Sequence, residues 1–114
     1  MAFLVLETDK TTEVDYSEKV IYLDQKFYEL IFLNKDLLKQ DSDLRKVVLL
    51  GYKDEPHIVL NKSLDKLMED INKIFNMRRL YHQQLDDLIR VIEETKIKDK
   101  HLAFSGDMYP ELNK

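Results

Sequence analysis

The sequence predicts a mainly α fold built on one long antiparallel helical hairpin, coiled-coil-like, with arms over about 17–45 and 63–98. Three observations carry this. A seven-residue repeat runs from Leu64 to Ile92, with Leu64, Ile71, Leu85 and Ile92 at one position and Leu67, Ile74, Tyr81 and Leu88 at the other. That spacing suits one face of a helix and no strand, whose side chains change face at every residue. Only two glycines and two prolines occur among 114 residues, too few for the many tight turns of a sandwich or barrel. A weaker stripe precedes the first: Val20, Leu23, Phe27, Leu30, Leu37, Leu44 and Val48 recur at spacings of three and four, interrupted by Asn34 and Asp41.

In chain order, residues 1–16 read as an N-terminal arm and linker, in which Ala2–Leu6 is a short apolar run. The first helix is expected to begin at Asp15 or Ser17, with Glu18 three residues after Asp15 as in a capping box. It is secure from Leu23 to Lys39; beyond that, Ser42 or Asp43 can cap a separate short helix. The stretch 46–61 holds two β-branched apolar runs around Lys53-Asp54-Glu55-Pro56 and reads as a possible β-hairpin, the other reading being a short helix ending at Gly51 followed by a loop. If the hairpin forms, Ala2–Leu6 becomes available as an extra strand and the fold is α+β. The second helix starts at Asn61 or Ser63, with acidic residues early and Lys96, Lys98 and Lys100 late, as the helix dipole favours. Unbroken to Lys98 it would be a rod of ~54 Å at ~1.5 Å per residue. Residues 99–114 form a C-terminal tail in which Ser105-Gly106-Asp107 reads as a turn, and the whole chain is one domain.

Folding the two helices back about Pro56 sets Phe27 against Leu85, Leu30 against His82, and the two stripe-breaking residues Asn34 and Arg78 against each other. A polar layer of that kind fixes register at some cost in stability. Each stripe is wider than a two-stranded seam needs, because Ile31, Leu38, Met68, Phe75 and Ile89 flank it. Covering that flank predicts a homodimer, a four-helix bundle being the economical form.

Composition narrows function more than it defines it. Apolar residues make up 44% and charged residues 35%, and the net charge is −4, which argues against general affinity for nucleic acid. The absence of cysteine excludes disulfides, thiolate nucleophiles and zinc–thiolate sites. No stretch approaches the ~20 apolar residues of a membrane helix and the N-terminus lacks a basic leader, so a cytoplasmic protein with no membrane association is expected.

Candidate chemistry is sparse. His82 and Asp86 share a helical face, but no further ligand joins them, so a structural histidine is the better reading and no metal is expected. The pairs Asp86–Asp87 and Glu93–Glu94 splay around a helix; Ser17, Ser42, Ser63 and Ser105 sit at caps and turns. No glycine-rich phosphate loop exists, so no nucleotide cofactor is implied. The segment that stands out is Phe75 to His82, apolar or cationic on nearly every side. Phe75, Met77, Arg78, Arg79, Leu80 and Tyr81 are of the residue types that dominate protein interfaces. The expectation is a small non-enzymatic assembly, adaptor or inhibitory protein that binds another protein. The alternatives are a regulator of nucleic-acid transactions using the Arg78–Arg79 patch and an enzyme with an unpatterned site.

Overall fold

The computed structural model describes residues 2–11, 19–50 and 54–107. It is an α+β protein, which corrects the expected helical hairpin and matches the alternative with Ala2–Leu6 as a strand. A four-stranded antiparallel sheet has the order β2-β1-β4-β3, where β1 is Ala2–Thr8, β2 Lys19–Leu23, β3 His57–Val59 and β4 His101–Asp107. Two helices, α1 (Gln25–Phe32) and α2 (Asp43–Val48), lie between β2 and β3 in the chain; α3 (Leu64–Met77) and α4 (Gln84–Ile97) lie between β3 and β4.

The sheet is built on its first and last strands. β1 pairs along its whole length with β4, from Ala2 opposite Asp107 to Thr8 opposite His101. One face of these strands carries Phe3, Val5, Leu102 and Phe104, joined by Leu23 of β2 and Val59 of β3. Against it pack Phe27 and Ile31 of α1, Leu44, Val47 and Val48 of α2, Leu64, Leu67, Ile71, Ile74 and Phe75 of α3, and Leu88, Val91 and Ile92 of α4. The helices and this face of the sheet enclose a single core. Leu6 and Ala103 project to the opposite face and are also fully buried.

The first expected helix fails at its start. Residues 19–23 form β2, with Leu23 opposite Phe3 and Val20 bulged out of the pairing between Ile21 and Lys19. Val20 and Leu23 fit the three-four stripe, but the run Lys19–Leu23 is β-branched and aromatic and gains more from pairing with β1. Helix begins only after Asp24, whose carboxylate accepts the Phe27 amide at 2.8 Å. The expected starts at Asp15 and Ser17 lie outside the described residues. α1 ends at Phe32, and a 3-10 turn at Lys35–Leu37 replaces the expected continuation to Lys39. Ser42 then caps α2 by accepting the Arg45 amide, as one reading of the sequence had it.

The expected β-hairpin over 46–61 does not form among the described residues. Val47 and Val48 close a helix, and β3 finds its partner in β4, with Val59 opposite Leu102. The Asp43 carboxylate meets His57 Nε2 at 2.8 Å and ties α2 to β3 instead.

The expected rod breaks near its middle. The longest dimension of the molecule is 34 Å, so a ~54 Å helix has nothing to cover it. α3 and α4 are 14 residues each and run in opposite directions, with Lys96 Nζ 2.6 Å from Asp65 Oδ1 at their far ends. α3 stops in a Schellman turn: the Leu80 amide donates to the Phe75 carbonyl, the Arg79 amide to Asn76, and Arg79 takes φ 53°. α4 stops the same way, with Asp99 at φ 58° and the Lys100 amide on the Thr95 carbonyl. Both left-handed positions carry a non-glycine residue; the stop at Met77 is therefore not visible in the sequence, whereas the end of α4 at Ile97 falls within one residue of the expected Lys98. The protein is therefore neither a coiled coil nor a helical bundle. Of the apolar flank that motivated the homodimer, Ile31, Leu38 and Phe75 are buried within one chain, while Met68 and Ile89 stay half-buried. No helix among the described residues is long and apolar enough to cross a membrane.

Candidate interaction surface

The break between α3 and α4 decides where the six singled-out residues lie. Phe75 is in the core against Phe27, with ring centroids 5.5 Å apart. Leu80, just after the left-handed Arg79, folds back onto the core as a partly buried residue, the usual place for an apolar side chain in a Schellman turn. Met77, Arg78, Arg79 and Tyr81 are exposed, Met77 at 62% and Tyr81 at 78%. The set thus divides into two packing residues and four surface residues. The four surface residues sit at the end of α3 and in the connection to α4, no longer on the side of a rod.

This connection is tied to the end of β2 by hydrogen bonds. The Gln84 amide donates to His82 Nδ1 at 3.0 Å, which makes Nδ1 the unprotonated nitrogen. The proton of the neutral ring is then on Nε2, 3.2 Å from Asp24 Oδ1. The ring stands edge-on to Phe27 at 5.3 Å. With Nδ1 facing the Gln84 amide and Nε2 facing Asp24, His82 is tied into the fold. Gln84 adds a second clamp. Its carboxamide accepts the Asp24 amide at 2.9 Å and donates to the Tyr22 carbonyl at 2.7 Å.

Asp24 therefore caps α1, receives His82 and leads out of β2, so the surface turn is fixed to the end of β2 through Asp24 and the Tyr22 carbonyl. The sequence signal for it was weak: a single Asp between an apolar run and the next helix.

Beside the turn lies an open groove of about 620 Å³, lined by Leu33, Asn34, Lys35, Asp36, Arg45 and Arg78. Asn34 and Arg78, expected to face each other across a helical seam, both line this groove as residues outside the core, Asn34 Nδ2 donating to the Leu30 carbonyl and Arg78 reaching Asp36. Arg78 Nη2 is 3.4 Å from Asp36 Oδ2, both side chains well exposed. Arg45 Nη1 donates to the Lys35 carbonyl at 3.2 Å, which holds its guanidinium at the groove. Lys35 Nζ is 4.0 Å above the Phe32 ring. Leu33 is 74% exposed. The groove and turn present Lys35, Arg45, Arg78 and Arg79 against a single carboxylate, Asp36, on a chain of net charge −4.

A second, smaller cavity of about 180 Å³ is lined by Lys39, Asp41, Ser42, Asp43, Ser63, Lys66 and Asp70. Its buried polar pair is satisfied internally, since Ser42 Oγ donates to Asp70 Oδ2 at 2.8 Å while accepting the Arg45 amide. The serine is occupied as a cap and has no histidine hydrogen-bonded to it. No group of three or more His, Asp or Glu side chains is placed to hold a metal ion among the described residues.

Compared with known proteins, the chain matches no family, no curated protein and no solved structure.

Proposed function

We propose that this protein is a protein-binding module, an adaptor or assembly factor, that engages its partner through the α3–α4 turn and the groove beside it. The observation that carries the reading is the exposure of Met77, Tyr81 and Leu33 around a cationic groove on a turn that is itself fixed by the Asp24–His82–Gln84 network. A turn fixed in this way loses little entropy on binding, and Tyr, Met and Arg are the residue types that anchor interfaces. The regulator of nucleic-acid transactions remains the second reading, because the same four cations could meet a phosphate backbone. The net charge of −4 weighs against it, since long-range repulsion opposes an extended polyanion.

A photo-crosslinking amino acid placed at Tyr81, with another at exposed Glu93 as control, tests the reading in an extract of the native host. A discrete protein adduct is expected at the first position only, and it should vanish when Met77→Ala and Leu33→Ala are introduced together. Identical adducts at both positions, or none at Tyr81, overturn it; a nuclease-sensitive adduct would favour the second reading.

A further inference from the structure

The groove bears a local charge opposite to that of the chain, and this points to the chemistry of what fills it. Lys35, Arg45 and Arg78 converge on one open space of about 620 Å³, large enough for two or three side chains but not for a duplex nucleic acid. Their present partners leave most of their donors unused. A guanidinium has five N–H donors. Arg78 makes one long contact to Asp36, whose side chain is 69% exposed, and Arg45 gives one hydrogen bond to a backbone carbonyl. The Arg45 contact fixes the guanidinium without neutralising it. Arg78, at 46% side-chain exposure, can leave Asp36 for a better acceptor at small cost, because an exposed pair contributes only ~0–1 kcal/mol. Leu33 lines this space exposed, and Met77, one residue before Arg78, and Tyr81, three residues after it, are exposed as well.

From this charge complementarity we infer that the groove binds an acidic peptide segment, whose clustered carboxylates or phosphorylated side chain enter between Arg45 and Arg78 while a neighbouring apolar residue covers Leu33. The inference rests on the protein-binding reading and names the class of partner. A compact anion on a flexible segment meets the local cations without exposing a long charged surface to the acidic remainder of the molecule. Both sources of the anion, carboxylate cluster and phosphoryl group, suit the fork of a guanidinium.

The test is an amide NMR titration of the full chain with three probes at low salt: a capped Glu-Glu-Leu-Phe-Glu-Glu peptide, the same peptide with phosphoserine in place of its second Glu, and a single-stranded oligonucleotide. Saturable shifts confined to Asn34, Lys35, Arg45 and Arg78 are expected with the peptides, with the phosphoserine arm deciding the preferred source. Arg78→Gln should weaken the binding at least fivefold while leaving the remaining spectrum in place; because Arg45 also holds Lys35, Arg45→Lys serves as the second variant and should weaken it without unfolding. No shifts at the groove with either peptide, or tighter binding of the oligonucleotide, overturns the inference. A protein adduct at Tyr81 in that event leaves the protein-binding reading standing and removes only the acidic class.

Discussion

Replacing Gln84 by Ala removes the clamp that joins the α3–α4 turn to the end of β2. The carboxamide behaves as a substitute peptide group. It accepts from the Asp24 amide, just past the end of β2, and donates to the Tyr22 carbonyl within β2, a strand that among the described residues pairs with β1 alone. An intruding strand would use the same two groups, so Gln84 also blocks an open edge. Each hydrogen bond contributes ~0.5–1.5 kcal/mol net, and partial solvent access limits the penalty for leaving its partner open. The expected loss is about 1.5–2 kcal/mol, of which the better helix propensity of Ala returns only a few tenths. At this chain length that lowers Tm by roughly 6–8 °C. Urea unfolding followed by circular dichroism and tyrosine fluorescence measures it, and light scattering should show more self-association on heating. Gln84→Glu keeps the acceptor but opposes a carboxylate to the Tyr22 carbonyl, so it should be at least as damaging at neutral pH. Protonation restores a donor. The folded state therefore raises the pKa of the introduced carboxyl, and the deficit relative to the parent should shrink as pH falls toward the ordinary Glu value of ~4.3 and be smallest below it. A Gln84→Ala variant within the ~0.5 kcal/mol of an inert surface change would refute the clamp.

Arg79 at φ 53° and Asp99 at φ 58° each sit where glycine is free of strain; Arg79→Gly should raise stability by up to ~1 kcal/mol and Arg79→Val should lower it, read as shifts in the urea midpoint. His82→Ala removes a bond to Asp24 and the edge contact with Phe27, and should cost about 2 kcal/mol, whereas Asp87→Ala, which loses only an exposed pair with Arg90, should cost less than ~0.5 kcal/mol. Ile71→Ala empties a fully buried site and should cost ~2–5 kcal/mol; Leu85→Ala, at a partly buried position of the same repeat, should cost clearly less, and equal losses would contradict the packing. Burial pushes the Tyr28 hydroxyl above its ordinary value of 10.0, so the folded state holds this proton more tightly than the unfolded state. That contribution to stability is complete below pH 10 and is lost as pH rises above it, and an ultraviolet titration should find a late-ionising component in the folded protein that disappears in urea and in Tyr28→Phe.

The sequence by itself determined most of the core-facing stripe of α3 and α4, although Tyr81 of the same repeat stands in solvent and Leu85 is only partly buried. Leu64, Leu67, Ile71, Ile74, Leu88 and Ile92 of the repeat are all in the core, because a 3.6-residue period is a local property that survives whatever the face packs against. It also located one cap, Ser42, since a short oxygen before an apolar run satisfies backbone donors locally, whereas Ser63 precedes α3 without a side-chain capping bond and the Asp24 cap of α1 lies outside the expected starts. Three things were decided only by tertiary structure. Lys19–Leu23 and His101–Asp107 are strands because β1 lies between them; pairing partners more than ninety residues apart in the case of β4 leave no local trace, and Ser105-Gly106-Asp107 reads as a turn until Leu4 and Phe3 stand opposite. The rod ends at Met77 because a left-handed Arg79 is tolerated where Leu80 can return to the core, an arrangement no glycine announces. The candidate surface shows the same division. Residue types alone marked 75–81, but the sheet-bound turn sent Phe75 and Leu80 inward, set Met77 and Tyr81 in solvent, and brought Arg78 beside Arg45, a neighbour thirty-three residues away that only the folded chain supplies.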